Sequence, residues 1–100
     1  MKTVIVTGAS GGLGLSISLR LIEKGYDVFV SDFGKIKQGY ALVLSSNEID
    51  WEDKGHTDAK ILTADVVVKS PGIPETAPIV MKLKEANVSV ISEIEFAATF

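Results

Sequence analysis

Short apolar runs with little or no alternation recur along the chain, separated by segments of helical spacing. Val4-Ile5-Val6, Asp27–Ser31 and Asp65–Lys69 are almost wholly apolar inside, the pattern of strands covered on both faces of a parallel sheet. Val88–Ile91 predicts a further strand. Leu13, Ile17 and Leu21, with Leu15, Leu19 and Ile22, form a broad apolar arc and predict a helix from Gly12 to Lys24, closed by Gly25. Gly14 and Ser18 fall inside that arc, where small side chains let the helix lie close on the sheet. Ile79, Val80, Leu83 and Ala86 predict the buried stripe of another helix, capped by Thr76, with Pro78 near its start and Asn87 as its stop.

The remaining segments are weaker. Tyr40, Leu42, Val43 and Leu44 predict the inward side of a short helix within Gly34–Asn47, although Gly39 weakens it. Ile49–Asp53 alternates as a short edge strand does, with acidic outward residues that discourage edge-to-edge pairing. Thr57 is placed to cap a short helix through Leu62, and Ser92-Glu93-Ile94-Glu95 forms a capping box for a last helix. Five strands alternating with helices predict an α/β fold, three-layered and Rossmann-like. Its five-stranded parallel sheet takes the order 3-2-1-4-5, in one nucleotide-binding domain over residues 1–100.

That order gives three places chemical meaning. Thr7–Gly12 is a glycine-rich turn between a strand and a helix, so unpaired backbone N–H groups meet the positive end of a helix dipole, and a phosphate suits them. Gly8, Ser10, Gly11, Gly12, Leu13 and Gly14 are the candidates; the alternative is a tight turn and a packing contact only. Asp32 ends the second strand, 18 residues past Gly14, where a dinucleotide-binding unit holds its ribose; a turn aspartate is an equal alternative. Ser70-Pro71-Gly72-Ile73-Pro74 is a stiff turn at the carboxyl end of a strand, the edge where open α/β sheets bind ligands.

Composition removes several classes. With no cysteine there is neither a disulfide framework nor a thiolate metal site. A net charge of −3 speaks against nucleic acid or an anionic membrane as partner. No apolar run approaches the ~20 residues of a membrane span, and the N-terminus enters a strand without a signal peptide, so a cytoplasmic protein is expected. Reaction machinery is also missing. There is no G-x-x-x-x-G-K-[ST] loop, and no tyrosine has a lysine four residues on: Tyr26 is followed there by Val30, and Tyr40 by Leu44. The lone histidine, His56, has no evident nucleophile partner and reads as a solvated loop residue. No catalytic residue, metal site or tightly bound cofactor is expected.

Two resemblances sharpen this. Ser31-Asp32-Phe33-Gly34-Lys35-Ile36, Gly55-His56-Thr57, Val68–Pro74 and Ile91–Ala97 together resemble the N-terminal domain of Mur ligases of the D-glutamate-adding type, over about residues 29–100. The resemblance implies a domain that holds the UDP part of a nucleotide substrate and does no chemistry itself. It implies that Asp32, beside Phe33, contacts the uracil, that Ser70, Pro71, Gly72 and Ile73 wall the base, and that the glycine turn receives the diphosphate. It also implies that the central ATP-binding and C-terminal ligase domains are absent. Lys35 and Lys37 are candidates for added charge.

Residues 1–28 instead resemble the first βα unit of short-chain dehydrogenases, through Thr7-Gly8 with Gly12 and Gly14. This keeps open an NAD-binding half domain, or a recombined or engineered scaffold without retained activity. The partner expected is a small-molecule nucleotide, UDP-type or NAD, bound by a monomer. An exposed apolar face at Ile94 and Phe96 would allow weak self-association.

Overall fold

In the computed structural model the described residues are 2–7, 12–32, 34–69, 77–93 and 95–96, with the backbone alone described at Gly12, Leu13 and Asp58. The chain runs β1 (Thr3–Thr7), α1 (Gly12–Glu23), β2 (Asp27–Ser31), α2 (Gln38–Ser46), β3 (Asp50–Glu52), α3 (Asp58–Ile61), β4 (Val66–Lys69), α4 (Pro78–Glu85) and β5 (Ser89–Ser92). The strands form one sheet in the order β3-β2-β1-β4-β5, every neighbouring pair parallel, as the alternation of elements predicts.

Strand alternation divides the apolar residues between two layers. Val4, Val6, Val28, Val30 and Val68 face α1 and α2, where they meet Ile17, Leu21, Ile36 and Leu44. Ile5, Phe29 and Val67 point the other way and meet Ile61, Ala64 and Leu83 beside α3 and α4. Because both faces are covered, β1 carries no polar residue between Val4 and Val6, and each of those three is at most 4% exposed. Ser18 is fully buried on α1 and donates through Oγ to the Gly14 carbonyl at 2.9 Å, so the small residues in the apolar arc do face the sheet. Gly25 (φ 87°) and Asn87 (φ 58°) take the left-handed conformation that stops a helix.

Several expectations are corrected. Leu42 is 62% exposed whereas Leu44 is fully buried. Residues two positions apart on a helix are rotated by about 200°, so these two leucines cannot share a face. Ala86, at the C-cap of α4, is exposed. The N-cap of α4 is Ala77, which offers no side-chain cap; Thr76 lies outside the described residues. Ser92 accepts the Glu95 N–H at 3.0 Å, half of the expected capping box. That short turn then buries Phe96 to 3% exposure against the α1 layer, so Phe96 offers no exposed face for self-association. Ile94 lies outside the described residues.

Candidate functional site

The strand register brings the last residue of each strand into one row. Glu52 stands opposite Ser31, Ser31 opposite Thr7, and Lys69 opposite Ser92. Val6 pairs with Val68, which makes Thr7 and Lys69 neighbours one step further on. Alternation turns this whole row toward the α3 and α4 side, like Ile5, Phe29 and Val67 beneath it. Among the described residues the buried polar side chains are Thr7, Ser18, Ser31, Asp32, Lys69 and Glu93. All but Ser18 lie at the carboxyl ends of strands. β1 and β4 are adjacent although β2 follows β1 in sequence, so the strand order reverses between them. Open α/β sheets bind ligands at such a point.

Buried polar groups are costly without partners, and Thr7, Ser31 and Asp32 have them. Thr7 donates through Oγ1 to the Val68 carbonyl at 3.2 Å. Asp32 is 7% exposed, and its Oδ1 accepts the Gly34 N–H at 3.0 Å, a tight local turn. The Asp32 N–H donates to the Glu52 carbonyl at 3.0 Å, and its own carbonyl accepts the Gly55 N–H at 3.2 Å. Two loops, one after β2 and one after β3, are thereby tied together around Asp32.

Beside Asp32 lies a hydrogen-bonded cluster that sequence reasoning did not find. Ser31, fully buried, donates through Oγ to Glu52 Oε2 at 2.7 Å and stands 2.6 Å from His56 Nδ1. Thr57 donates its N–H to Oε2 at 2.8 Å and its hydroxyl to Oε1 at 2.5 Å. Burial pushes the Glu52 carboxyl up. The hydrogen bonds from Thr57 and Ser31, with the Lys60 charge, together outweigh it and hold the group below the ordinary range. An ionised Glu52 only accepts, so the single Ser31 proton goes to it, and the contact with His56 suits the tautomer whose Nδ1–H donates to Ser31 Oγ. His56 is therefore a bonded, half-buried residue rather than a solvated one. Glu52 is likewise no solvated edge acid. The one signal for this cluster was a serine ending an apolar strand, the same position that points to Asp32.

The other predicted positions divide in two. Gly8, Ser10, Gly11, Phe33, Ser70, Pro71, Gly72 and Ile73 lie outside the described residues. Gly12 and Leu13 open α1, and Gly14, in its first turn, is buried. Lys35 is exposed and lines a cavity of about 370 Å³ with Ile36, Leu42, Trp51 and Asp53, a lining that does not include Asp32. Lys37 stands 5.6 Å from the centre of the Tyr40 ring. Among the described residues no group of three or more histidine or acidic side chains is arranged to hold a metal ion. No helix there is long and apolar enough to cross a membrane.

The family described as the MurD N-terminal domain matches residues 12–79, from the start of α1 into α4. The chain belongs to this family. A UDP-N-acetylmuramoylalanine–D-glutamate ligase from Christiangramia forsetii is 56% identical over 99 residues, which cover 99% of this chain and 22% of that protein. The same-named ligase from Bacteroides fragilis is 46% identical over all of this chain and 22% of its own length. The chain thus spans about a fifth of these relatives. A murein peptide ligase structure from Psychrobacter arcticus superposes with a TM-score of 0.87 over 99% of this chain and 20% of its own; at 18% identity it bears on fold alone. The resemblance to Mur ligases holds, and it extends past residue 29 into the opening segment. One natural ligase matches almost the whole chain, so a recombined or engineered origin finds no support, and neither does an NAD-binding half domain.

Proposed function

We propose that this MurD N-terminal domain holds the uridine-diphosphate part of UDP-N-acetylmuramoyl-alanine for a cytoplasmic, ATP-dependent D-glutamate-adding ligase of peptidoglycan synthesis, and has no catalytic residue of its own. The observation that carries the reading is the buried Asp32 carboxylate, fixed at the end of β2 beside the β1/β4 reversal. A carboxylate there accepts the N–H of a uracil or a ribose hydroxyl. Phe33 and the backbone of Ser70, Pro71, Gly72 and Ile73 enclose the base, and Lys35 adds positive charge near it. Gly8, Ser10, Gly11, Gly12, Leu13 and Gly14 offer N–H groups to the diphosphate at the start of α1, a helix of 12 residues whose dipole favours an anion. Thr7 and Lys69 end neighbouring parallel strands at one rim of the sheet. This supports a diphosphate site and a base site serving one ligand.

The test is an amide-shift titration of the chain with UDP, UDP-N-acetylmuramoyl-alanine and NAD. Shifts confined to residues 8–14, Asp32 and 70–73 with the uridine ligands, and none with NAD, are the expected result. Silence with both uridine ligands overturns the reading.

A further inference from the structure

The loop that carries Asp32 does not hold its shape alone. Asp32, Gly34 and Ile36 meet the end of β3 and the segment after it at four backbone groups: Asp32 N–H to the Glu52 carbonyl at 3.0 Å, Gly55 N–H to the Asp32 carbonyl at 3.2 Å, Lys54 N–H to the Gly34 carbonyl at 2.9 Å, and Ile36 N–H to Asp53 Oδ2 at 3.1 Å. To present those two N–H groups, Lys54 takes φ 61° and Gly55 φ 146°. A lysine in the left-handed region costs about 1 kcal/mol and persists only where its surroundings hold it. Here the surroundings are a ring closed by one side chain. The Glu52 carboxylate takes the Ser31 hydroxyl from the strand that leads into Asp32, and both the N–H and the hydroxyl of Thr57 from the far end of the 53–57 loop.

We propose that Glu52 is a positioning residue of the nucleotide site: its carboxylate joins the end of β2 to the loop before α3 and so sets the conformation in which Asp32 meets the base. This rests on the uridine-nucleotide reading above. The chemistry suits a carboxylate, which accepts three hydrogen bonds without having to donate any. Alanine leaves three donors without their acceptor. Glutamine keeps the shape and one acceptor oxygen; its NH2 placed toward Thr57 Oγ1 meets a hydroxyl that can turn to accept. Loss with alanine and rescue by glutamine is therefore the signature of positioning by hydrogen bonds.

The experiment compares the 100-residue chain with Glu52→Ala and Glu52→Gln. It measures amide hydrogen exchange at Asp32, Ile36, Lys54 and Gly55, and the dissociation constant for UDP. The expected result for Glu52→Ala is exchange at those amides faster by about tenfold or more and UDP binding weaker by about tenfold, with Val6 and Val68 still protected. Glu52→Gln stays within about threefold of the parent chain in both. Should Glu52→Ala fail to fold, Thr57→Val, which removes one donor, gives smaller changes of the same sign. Parent-like UDP affinity in Glu52→Ala, with loosened amides, overturns the positioning role. So does equal loss of affinity in both Glu52 variants with exchange unchanged, which would make Glu52 a direct contact. A parent chain that does not bind UDP overturns the reading beneath, and the proposal with it, irrespective of the variants.

Discussion

The two rims of the sheet are built from the same five strands, and both are polar, yet they are polar in different ways. At the amino rim Asp27, Asp65 and Ser89 are exposed, and water satisfies them. Bonds exist there, such as the Thr3 N–H to Asp65 Oδ2 at 2.8 Å, but neither partner depends on them. At the carboxyl rim Thr7, Ser31, Asp32 and Lys69 are buried, and burial of that kind requires directional partners. The difference shows where this fold accepts a cost that a purely stable domain would avoid, and under the proposed function a nucleotide is what repays it.

The largest effect should come from the buried rim. Glu52→Ala, which leaves the buried Ser31 hydroxyl without its acceptor, should destabilise by about 2 kcal/mol in urea denaturation. A loss no greater than that of an amino-rim substitution would erase the contrast between the rims.

Acid titration gives the next, with two opposing signs. Glu52 is held below the ordinary glutamate value, so the folded form releases that proton more readily. Its contribution is present above about pH 4.3 and is lost as pH falls through the lowered value. Glu93, 4% exposed, is pushed up by burial, so its contribution runs the other way and stability falls as pH rises from about 4.3 through the raised value. Glu93→Gln should therefore raise the neutral-pH melting temperature slightly and remove that slope. A variant less stable at pH 7 than the parent would contradict this sign.

Asp32→Asn sharpens the contrast differently. Its oxygen still accepts the Gly34 N–H at this buried site, so the loss of stability should stay below that of Glu52→Ala, at about 1 kcal/mol. UDP affinity should fall by about tenfold, read by the same amide titration. The smallest effect belongs to the amino rim. Asp27→Ala removes only an exposed 3.3 Å bond from Thr3 Oγ1 and should stay within about 0.5 kcal/mol by thermal melting, with UDP binding unchanged.

The strands were legible because burial on both faces leaves a local trace: a run of Val and Ile cannot be explained by one-sided exposure. Asp27–Ser31 is a strand over the very residues the pattern marks. The α2 segment was less legible. Four apolar residues there include two, Leu42 and Leu44, on opposite sides of the helix, and only packing shows that Leu44 is the buried one. Phe96 was misjudged for a related reason, since its cover is supplied by α1-side residues far away in sequence. Of the candidate site, Asp32 and the fourth strand's end were marked by where apolar runs stop. Glu52, Ser31 and His56 could not be joined, because bonds between residues 21 and 25 positions apart leave no periodicity.

By itself the sequence determined the α/β class and the parallel order of the strands. Those follow from hydrophobic periodicity and the handedness of crossovers, which are local or general rules. Only the tertiary structure decided which polar residues at the carboxyl rim are buried and whom they bond. Hydrogen bonds are satisfied across space rather than along the chain, and strand register is what sets Glu52 beside Ser31.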